Sequence, residues 1–107
     1  MTNVATFPSF IPSYKKLEEN ADNVFVVEFY HRDTASEPTV SIINAVSDVF
    51  ADFDDEPYIS IRFVGGTDLT FTGESYFTNL SGDAVVFSSK HDDETYCIIE
   101  FRNEEMI

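Results

Sequence analysis

The sequence predicts an α+β fold in which a mostly antiparallel sheet of about five strands packs against one long helix, with a short helix near the N-terminus. Three observations lead to this prediction. Apolar residues recur at steps of three and four over residues 39–53, as in an amphipathic helix. Apolar and polar residues alternate in several later segments, as in strands. Turn signals such as Gly65-Gly66 separate those segments, and consecutive hairpins build an antiparallel sheet.

The N-terminal third is expected to contain an arm, a short helix and one strand. Residues 1–11 show no periodicity and are expected to form an extended arm. A helix is expected over residues 12–20, because Pro12 suits a first helical turn and Leu17 supplies an apolar anchor. Residues 24–30 are rich in Val and Phe, which indicates a buried strand.

The rest of the chain is expected to form the long helix followed by hairpins. The helix over residues 39–53 has an apolar stripe of Val40, Ile43, Val46, Phe50 and Phe53, although its β-branched residues lower helix propensity. Later strands are expected at 58–64, 69–72, 84–88 and 96–102, with a short segment around Tyr76 and Phe77. Residues 1–107 fit a single domain, and 103–107 are expected to be a loose tail.

Composition restricts the classes of partner. The 11 Phe and 5 Tyr residues exclude global disorder. The chain has 20 acidic residues against 6 Lys and Arg, so its formal net charge is −14. A surface with that charge repels nucleic acids and anionic membranes and attracts basic proteins. We therefore expect a protein partner, with no direct binding to nucleic acid or membrane.

Cysteine usage and hydropathy point to the cytoplasm. The single cysteine, Cys97, lies in an apolar run, which predicts a buried structural thiol. The first residues lack the basic and apolar regions of a signal peptide. No apolar stretch approaches the roughly 20 residues that span a membrane.

Acidic residues are concentrated in one segment, residues 48–56. On a helix, Asp48, Asp52 and Asp55 would share one face, and no Lys or Arg lies between Arg32 and Arg62 to offset them. Such a face could be a solvated surface or an adaptation to high salt, but this concentration favours a binding surface for a basic protein. Tyr58 follows the segment, and an aromatic ring beside carboxylates suits arginine. The predicted partner-binding residues are Asp48, Asp52, Asp54, Asp55, Glu56 and Tyr58, together with Asp92, Asp93 and Glu94 at a hairpin tip.

The residues that usually carry catalysis or bind metals do not form a motif. The run from Asp52 to Glu56 begins like a calcium loop, but Pro57 occupies the position that requires glycine. The alternative is a weak site for a divalent cation formed by Asp52, Asp54 and Asp55. The two histidines, His31 and His91, are far apart in the chain, and no Gly-x-Ser-x-Gly elbow is present. We expect no cofactor, no metal and no enzymatic activity.

The small size, the single cysteine, the acidic segment and the α+β pattern together resemble the small acidic immunity and inhibitor proteins of bacterial toxin systems. The resemblance implies a protein that neutralises a toxic nuclease, and it assigns no role to individual residues. Two alternatives stay open, namely a phage-type DNA mimic that blocks restriction or CRISPR enzymes and a non-inhibitory structural or adaptor module. The clustering of the acids favours the immunity class, since a duplex mimic more often spreads its charge.

Overall fold

One antiparallel sheet of seven strands makes up most of the protein. The computed structural model describes residues 10–31, 38–54, 56–91 and 94–102. In chain order the elements are α1 (Phe10–Glu19), β1 (Val24–His31), β2 (Val40–Asp52), β3 (Tyr58–Phe63), β4 (Asp68–Thr72), β5 (Tyr76–Ser81), β6 (Ala84–Ser89) and β7 (Thr95–Arg102). The strand order is β4-β3-β2-β1-β7-β6-β5, and the sheet curls into a half-barrel.

The predicted α+β fold with a long helix over residues 39–53 is wrong, because this segment is the strand β2. A β-bulge between Val46 and Asp48 shifts the alternation of faces by one residue. The strand also carries apolar residues on both faces, so steps of three and four arise without a helix. Its β-branched residues favour extended backbone. Within the described residues the sheet has seven strands rather than five, and no long helix packs against it.

The bulge divides β2 between two parts of the sheet. Residues 40–45 pair with β1, whereas residues 46–52 pair with β3. The bend is fixed by side chains that bond to the backbone of the neighbouring segment. Ser47 donates its hydroxyl to the carbonyl of Arg62 at 3.1 Å, and the Asn44 amide donates to the carbonyl of Val64 at 3.0 Å. We call residues 46–52 with β3 and β4 the short wing, and residues 40–45 with β1, β7, β6 and β5 the long wing.

The two wings bury their apolar faces against each other. Phe71 of β4 stacks on Phe87 of β6, with ring centroids 3.8 Å apart, and meets Tyr76 of β5 edge-on at 5.1 Å. Ile59 and Ile61 of β3 are fully buried on the same inner face. The curl of the sheet therefore buries its apolar face, which the sequence analysis expected the long helix to cover.

The helix α1 covers the inner side of the half-barrel, where it packs against β5 and β6 of the long wing and β2 and β3 of the short wing. Phe10 and Leu17 are buried there. The helix begins at Phe10, so the predicted extended arm is wrong at its last two residues, while residues 1–9 lie outside the described part of the chain. Pro12 fits the first turn because amides there have no acceptor within the helix.

The ends of the chain add little to the description of the fold. The predicted loose tail over 103–107 lies outside the described residues.

Among the residues that the structure describes, no helix is long and apolar enough to cross a membrane. Cys97 is buried, as predicted, and desolvation raises the pKa of its thiol.

Candidate protein-binding site

Three strands of the short wing place one residue each in a row across its outer face. Asp52 of β2 pairs with Tyr58 of β3, and Tyr58 pairs with Thr72 of β4. The neighbouring positions on β3, Ile59 and Ile61, face the core, so strand alternation directs the row outward. These residues and two acids of the β2–β3 connection, Asp54 and Glu56, line a shallow cleft of about 450 Å³. We call it the acidic cleft.

The connection between β2 and β3 is held in place by short local bonds. The amide of Asp54 donates to Oδ1 of Asp52 at 2.9 Å, which makes a tight turn at the end of β2. The amide of Gly73 donates to the carbonyl of Pro57 at 2.7 Å. A Cβ atom at Gly73 would lie 2.5 Å from Cγ of Pro57, so this close approach requires glycine.

The carboxylates of the acidic cleft are exposed and lack a cationic partner among the described residues. Asp52, Asp54 and Glu56 are all exposed, and no ion pair within the described part of the chain includes them. Like charges this close repel one another, and water screens the repulsion only in part. A cation from another molecule would therefore lower the electrostatic energy of this cleft.

The same outer face holds one basic residue, and it is already paired. Nε and Nη2 of Arg62 donate to the two carboxylate oxygens of Asp68 at 2.9 and 3.2 Å. The Arg62 guanidinium also lies 5.6 Å from the ring centre of Phe50. The hydrogen bond to Asp68 raises the pKa of Arg62, with a smaller contribution from Asp48, and the same bond lowers the pKa of Asp68. Arg62 therefore offsets Asp68 and leaves the acidic cleft negative.

The predicted partner-binding residues separate into three groups. Asp52, Asp54, Glu56 and Tyr58 come together in the acidic cleft. Asp48 is exposed on the same face as Asp52, since positions 48, 50 and 52 alternate with the buried Val49. The expected helical stacking of Asp48, Asp52 and Asp55 is wrong, because β2 is a strand.

The remaining predicted residues do not add to the cleft. Asp55, Asp92 and Asp93 lie outside the described residues. Glu94 is half-buried, and one of its oxygens lies 2.9 Å from Nε2 of His31, so this carboxylate already has a partner within the chain. Glu94 does not line the acidic cleft.

Thr72 and the Arg62–Asp68 pair were not predicted from the sequence. The Gly65-Gly66 turn indicated the hairpin but not its register. A two-residue loop there would pair residue 62 with 69, whereas the observed register is centred on Gly65 and pairs residue 62 with 68 and residue 58 with 72. A second cleft, of about 610 Å³, was also missed. This cleft is lined by residues of both charges, the cations Lys16 and Arg102 and the acids Asp83 and Glu100.

No protein-family model, curated protein or solved structure matches this chain. Within the described residues, no group of three or more His, Cys, Asp or Glu side chains is arranged to hold a metal ion. The functional interpretation therefore depends on the geometry and charge of the acidic cleft.

Proposed function

We propose that this chain is an acidic inhibitor that binds a basic nucleic-acid-handling protein, in the manner of an immunity protein bound to a toxin nuclease. The observation that carries the proposal is the meeting of Asp52, Asp54 and Glu56 with Tyr58 in one exposed cleft. The inhibitor would act in the cytoplasm and by occlusion rather than by catalysis, because its carboxylates would occupy the surface on which the partner binds phosphates.

The chemistry of the acidic cleft suits arginine and lysine side chains. A carboxylate accepts two parallel hydrogen bonds from a guanidinium, and charge-assisted bonds of this kind are about twice as strong as neutral ones. The ring of Tyr58 offers a face for a guanidinium plane, which adds about 0.5–2 kcal/mol depending on desolvation. Asp52 and Glu56 lie beside that ring in the same cleft.

The net charge of −14 should also accelerate the encounter with a basic partner. Electrostatically steered association reaches about 10⁸ M⁻¹s⁻¹ at low ionic strength and slows steeply as salt is added. Stopped-flow measurements over a salt series check this expectation. An association rate that does not change with salt would contradict steering.

The sharpest test alters the acidic cleft while preserving its turn. Asp52→Asn keeps a side-chain oxygen that can accept the amide of Asp54, so it is combined with Asp54→Lys and Glu56→Lys. These residues are exposed, and surface substitutions usually change the free energy of unfolding by less than about 0.5 kcal/mol each. Loss of one desolvated charge pair weakens binding by roughly 2–5 kcal/mol. We expect inhibition to fall by orders of magnitude, with little change in Tm.

A matched control changes the total charge equally at other exposed sites. Asp22→Asn, Glu19→Lys and Glu74→Lys supply the same charge difference outside the cleft. Both triple variants are co-expressed with the products of neighbouring genes, and nuclease inhibition is measured for any partner that co-purifies. Equal loss of inhibition in both variants would show that total charge, not the cleft, controls binding. Unchanged inhibition in the cleft variant would refute the proposed site.

The identity of the partner separates the related functions. A toxin nuclease from the same locus supports the immunity role, whereas a restriction or CRISPR enzyme supports a phage-type DNA mimic. A basic partner whose activity is unaffected by the complex would instead indicate a structural or adaptor module.

A further inference from the structure

The two edges of the sheet differ in accessibility, and the accessible edge leads to the acidic cleft. The sheet ends in β5 on the long wing and in β4 on the short wing. In the middle of β5, Thr78 is 2% exposed, and its hydroxyl shares a hydrogen bond of 2.8 Å with Ser13 of α1. The helix therefore covers the middle of that edge, although Leu80 nearer its end is 46% exposed. In β4, both Asp68 and Thr70 are exposed.

The register of the β3–β4 hairpin identifies which backbone groups of β4 are unpaired. The amide of Phe63 donates to the carbonyl of Thr67, and the amide of Gly73 donates to the carbonyl of Pro57. Bonded pairs alternate along an antiparallel ladder, so Leu69 and Phe71 also bond to β3. The amides and carbonyls of residues 68 and 70 therefore point away from the sheet, as does the amide of residue 72.

Unpaired groups of this kind can receive an added strand. Outside the strand ladders, no backbone hydrogen bond in the described part of the chain engages the amide or carbonyl of Asp68 or Thr70, and the ladder register directs both away from β3. An extended segment of another protein can supply the missing partners, which is a common mode of peptide recognition. Thr72 is both the last residue of β4 and a lining residue of the acidic cleft. A strand added to β4 would therefore run directly into that cleft.

Charge decides which segment fits this edge. Asp68 lies on this edge, and the same wing carries Asp48 and Asp52 on its outer face and Asp54 and Glu56 in the β2–β3 connection, against one described base, Arg62. A second copy of this chain would bring the same acids into contact, and like charges are the usual protection against edge-to-edge pairing. A segment with alternating arginine or lysine meets opposite charge instead. Its cationic side chains on the outer face can cross the small Thr72 side chain to reach Tyr58.

We infer that the β4 edge, residues 68–72, is a strand-addition site for an extended basic segment of the partner, which the acidic cleft then holds by its cationic side chains. This inference rests on the proposed function and specifies how the partner binds. Backbone pairing sets the position and direction of the segment, and the acids select its charge.

The experiment removes one edge amide without removing charge. Thr70→Pro deletes the outward amide, and proline is tolerated on an edge strand whose amide faces solvent. The substitution also removes the hydrogen bond of 2.9 Å between the hydroxyls of Thr70 and Ser60. Thr70→Val is the matched control, because it loses the same hydroxyl and keeps the amide. The probe is a capped eight-residue peptide of alternating arginine and threonine, and its analogue with every backbone amide N-methylated has the same charge.

We expect the peptide to bind the parent chain at low salt and to slow hydrogen exchange at the amides of Asp68, Thr70 and Thr72 in NMR spectra. Its affinity should fall about tenfold in Thr70→Pro relative to Thr70→Val, and the N-methylated analogue should bind at least tenfold more weakly than the peptide.

Equal affinity of the two peptides would overturn strand addition and leave the charge-based inhibitor proposal standing. Absence of peptide binding, or exchange effects confined to other strands, would overturn it as well. A parent dimer that Thr70→Pro dissociates would assign the edge to a second copy instead. The inhibitor proposal itself fails only in the separate assay of the cleft variants.

Discussion

The two wings of the sheet share one core but present different outer faces. The short wing carries acids outward, with Asp48, Asp52 and Asp68 on its strands and one base, Arg62. The long wing carries mainly rings and apolar side chains outward, with two acids, Glu28 and Glu100, among them. Tyr30 and Tyr96 stack there with centroids 5.3 Å apart, Phe77 lies under the Lys90 ammonium at 4.8 Å, and Ile43 is 57% exposed.

Under the proposed function, this difference divides stability and recognition between the inner and outer faces. Both inner faces are apolar, because the curl must bury them against each other. The outer faces are free to differ, and three described acids without an ion pair, Asp52, Asp54 and Glu56, meet where the short wing ends in the acidic cleft. The cleft variant and its charge-matched control in the proposed experiment therefore separate the effect of the total charge of −14 from that of its placement.

The largest expected effect comes from placing a charge on the inner face of the short wing. Ile61 is fully buried at the centre of β3, and an unpaired carboxylate there has no compensating partner. We expect Ile61→Asp to abolish cooperative folding, as measured by thermal melting with circular dichroism. Val64→Asp, at an exposed side chain just beyond the end of β3, controls for the added charge. A cooperative melt of Ile61→Asp near that of the parent would mean that β3 presents its other face to the core.

A smaller effect should follow from loosening the contact between the wings. Phe87 of the long wing stacks on Phe71 of the short wing and contacts Phe10 of α1 edge-on. Phe87→Ala should lower the free energy of unfolding by about 3–5 kcal/mol, measured by urea denaturation. Phe77→Ala, on the outer face of the long wing, should lower it far less. Similar losses for both would show that the outer rings are part of the core.

The covered edge of the long wing can be tested through its buried hydrogen bond. Ser13→Ala leaves the Thr78 hydroxyl buried without its partner, which should lower the free energy of unfolding by about 1–3 kcal/mol. Adding Thr78→Val removes the orphaned hydroxyl, so the double variant should lose less than the sum of the two single variants. Simple additivity in this cycle would mean that α1 does not seal the β5 edge through this bond.

The sequence predicted the later strands closely and failed at β2. Alternation placed a strand over 58–64, and β3 covers Tyr58–Phe63. Alternation could not identify β2 as a strand, because a bulge reverses the face to which every later side chain points. No residue type in this segment indicates the bulge from the sequence alone. The apolar residues Ile43 and Phe50 face outward, and this removed the one-sided pattern that identifies a half-buried strand.

The candidate site was predicted in its chemistry but not in its shape. The acidic segment and Tyr58 could be recognised because charge is a local property of the sequence. Asp48 and Asp52 share a face in the strand, as they would on a helix, because both periodicities bring positions four apart to one side. Thr72 and the open β4 edge depend on pairing between distant residues, which the acidic segment alone does not encode.

The smallest expected effect concerns the one ion pair on the acidic wing. Arg62 lowers the pKa of Asp68 below its ordinary value of 3.8, mainly by hydrogen bonding. A carboxyl whose pKa is lowered on folding stabilises the protein above its ordinary pKa, and this contribution disappears as the pH falls through the lowered value. Arg62→Gln should therefore raise the pKa of Asp68 toward 3.8, as measured by NMR titration of its side chain. The stability difference between parent and variant should be constant above about pH 5 and shrink below it.

Because both side chains are exposed, added salt should reduce the effect. The control Lys16→Gln, in the other cleft, should leave the Asp68 titration unchanged. An Asp68 titration that ignores Arg62→Gln would mean that the pair is not formed in solution, and the short wing would then hold an unpaired base that competes with a cationic partner.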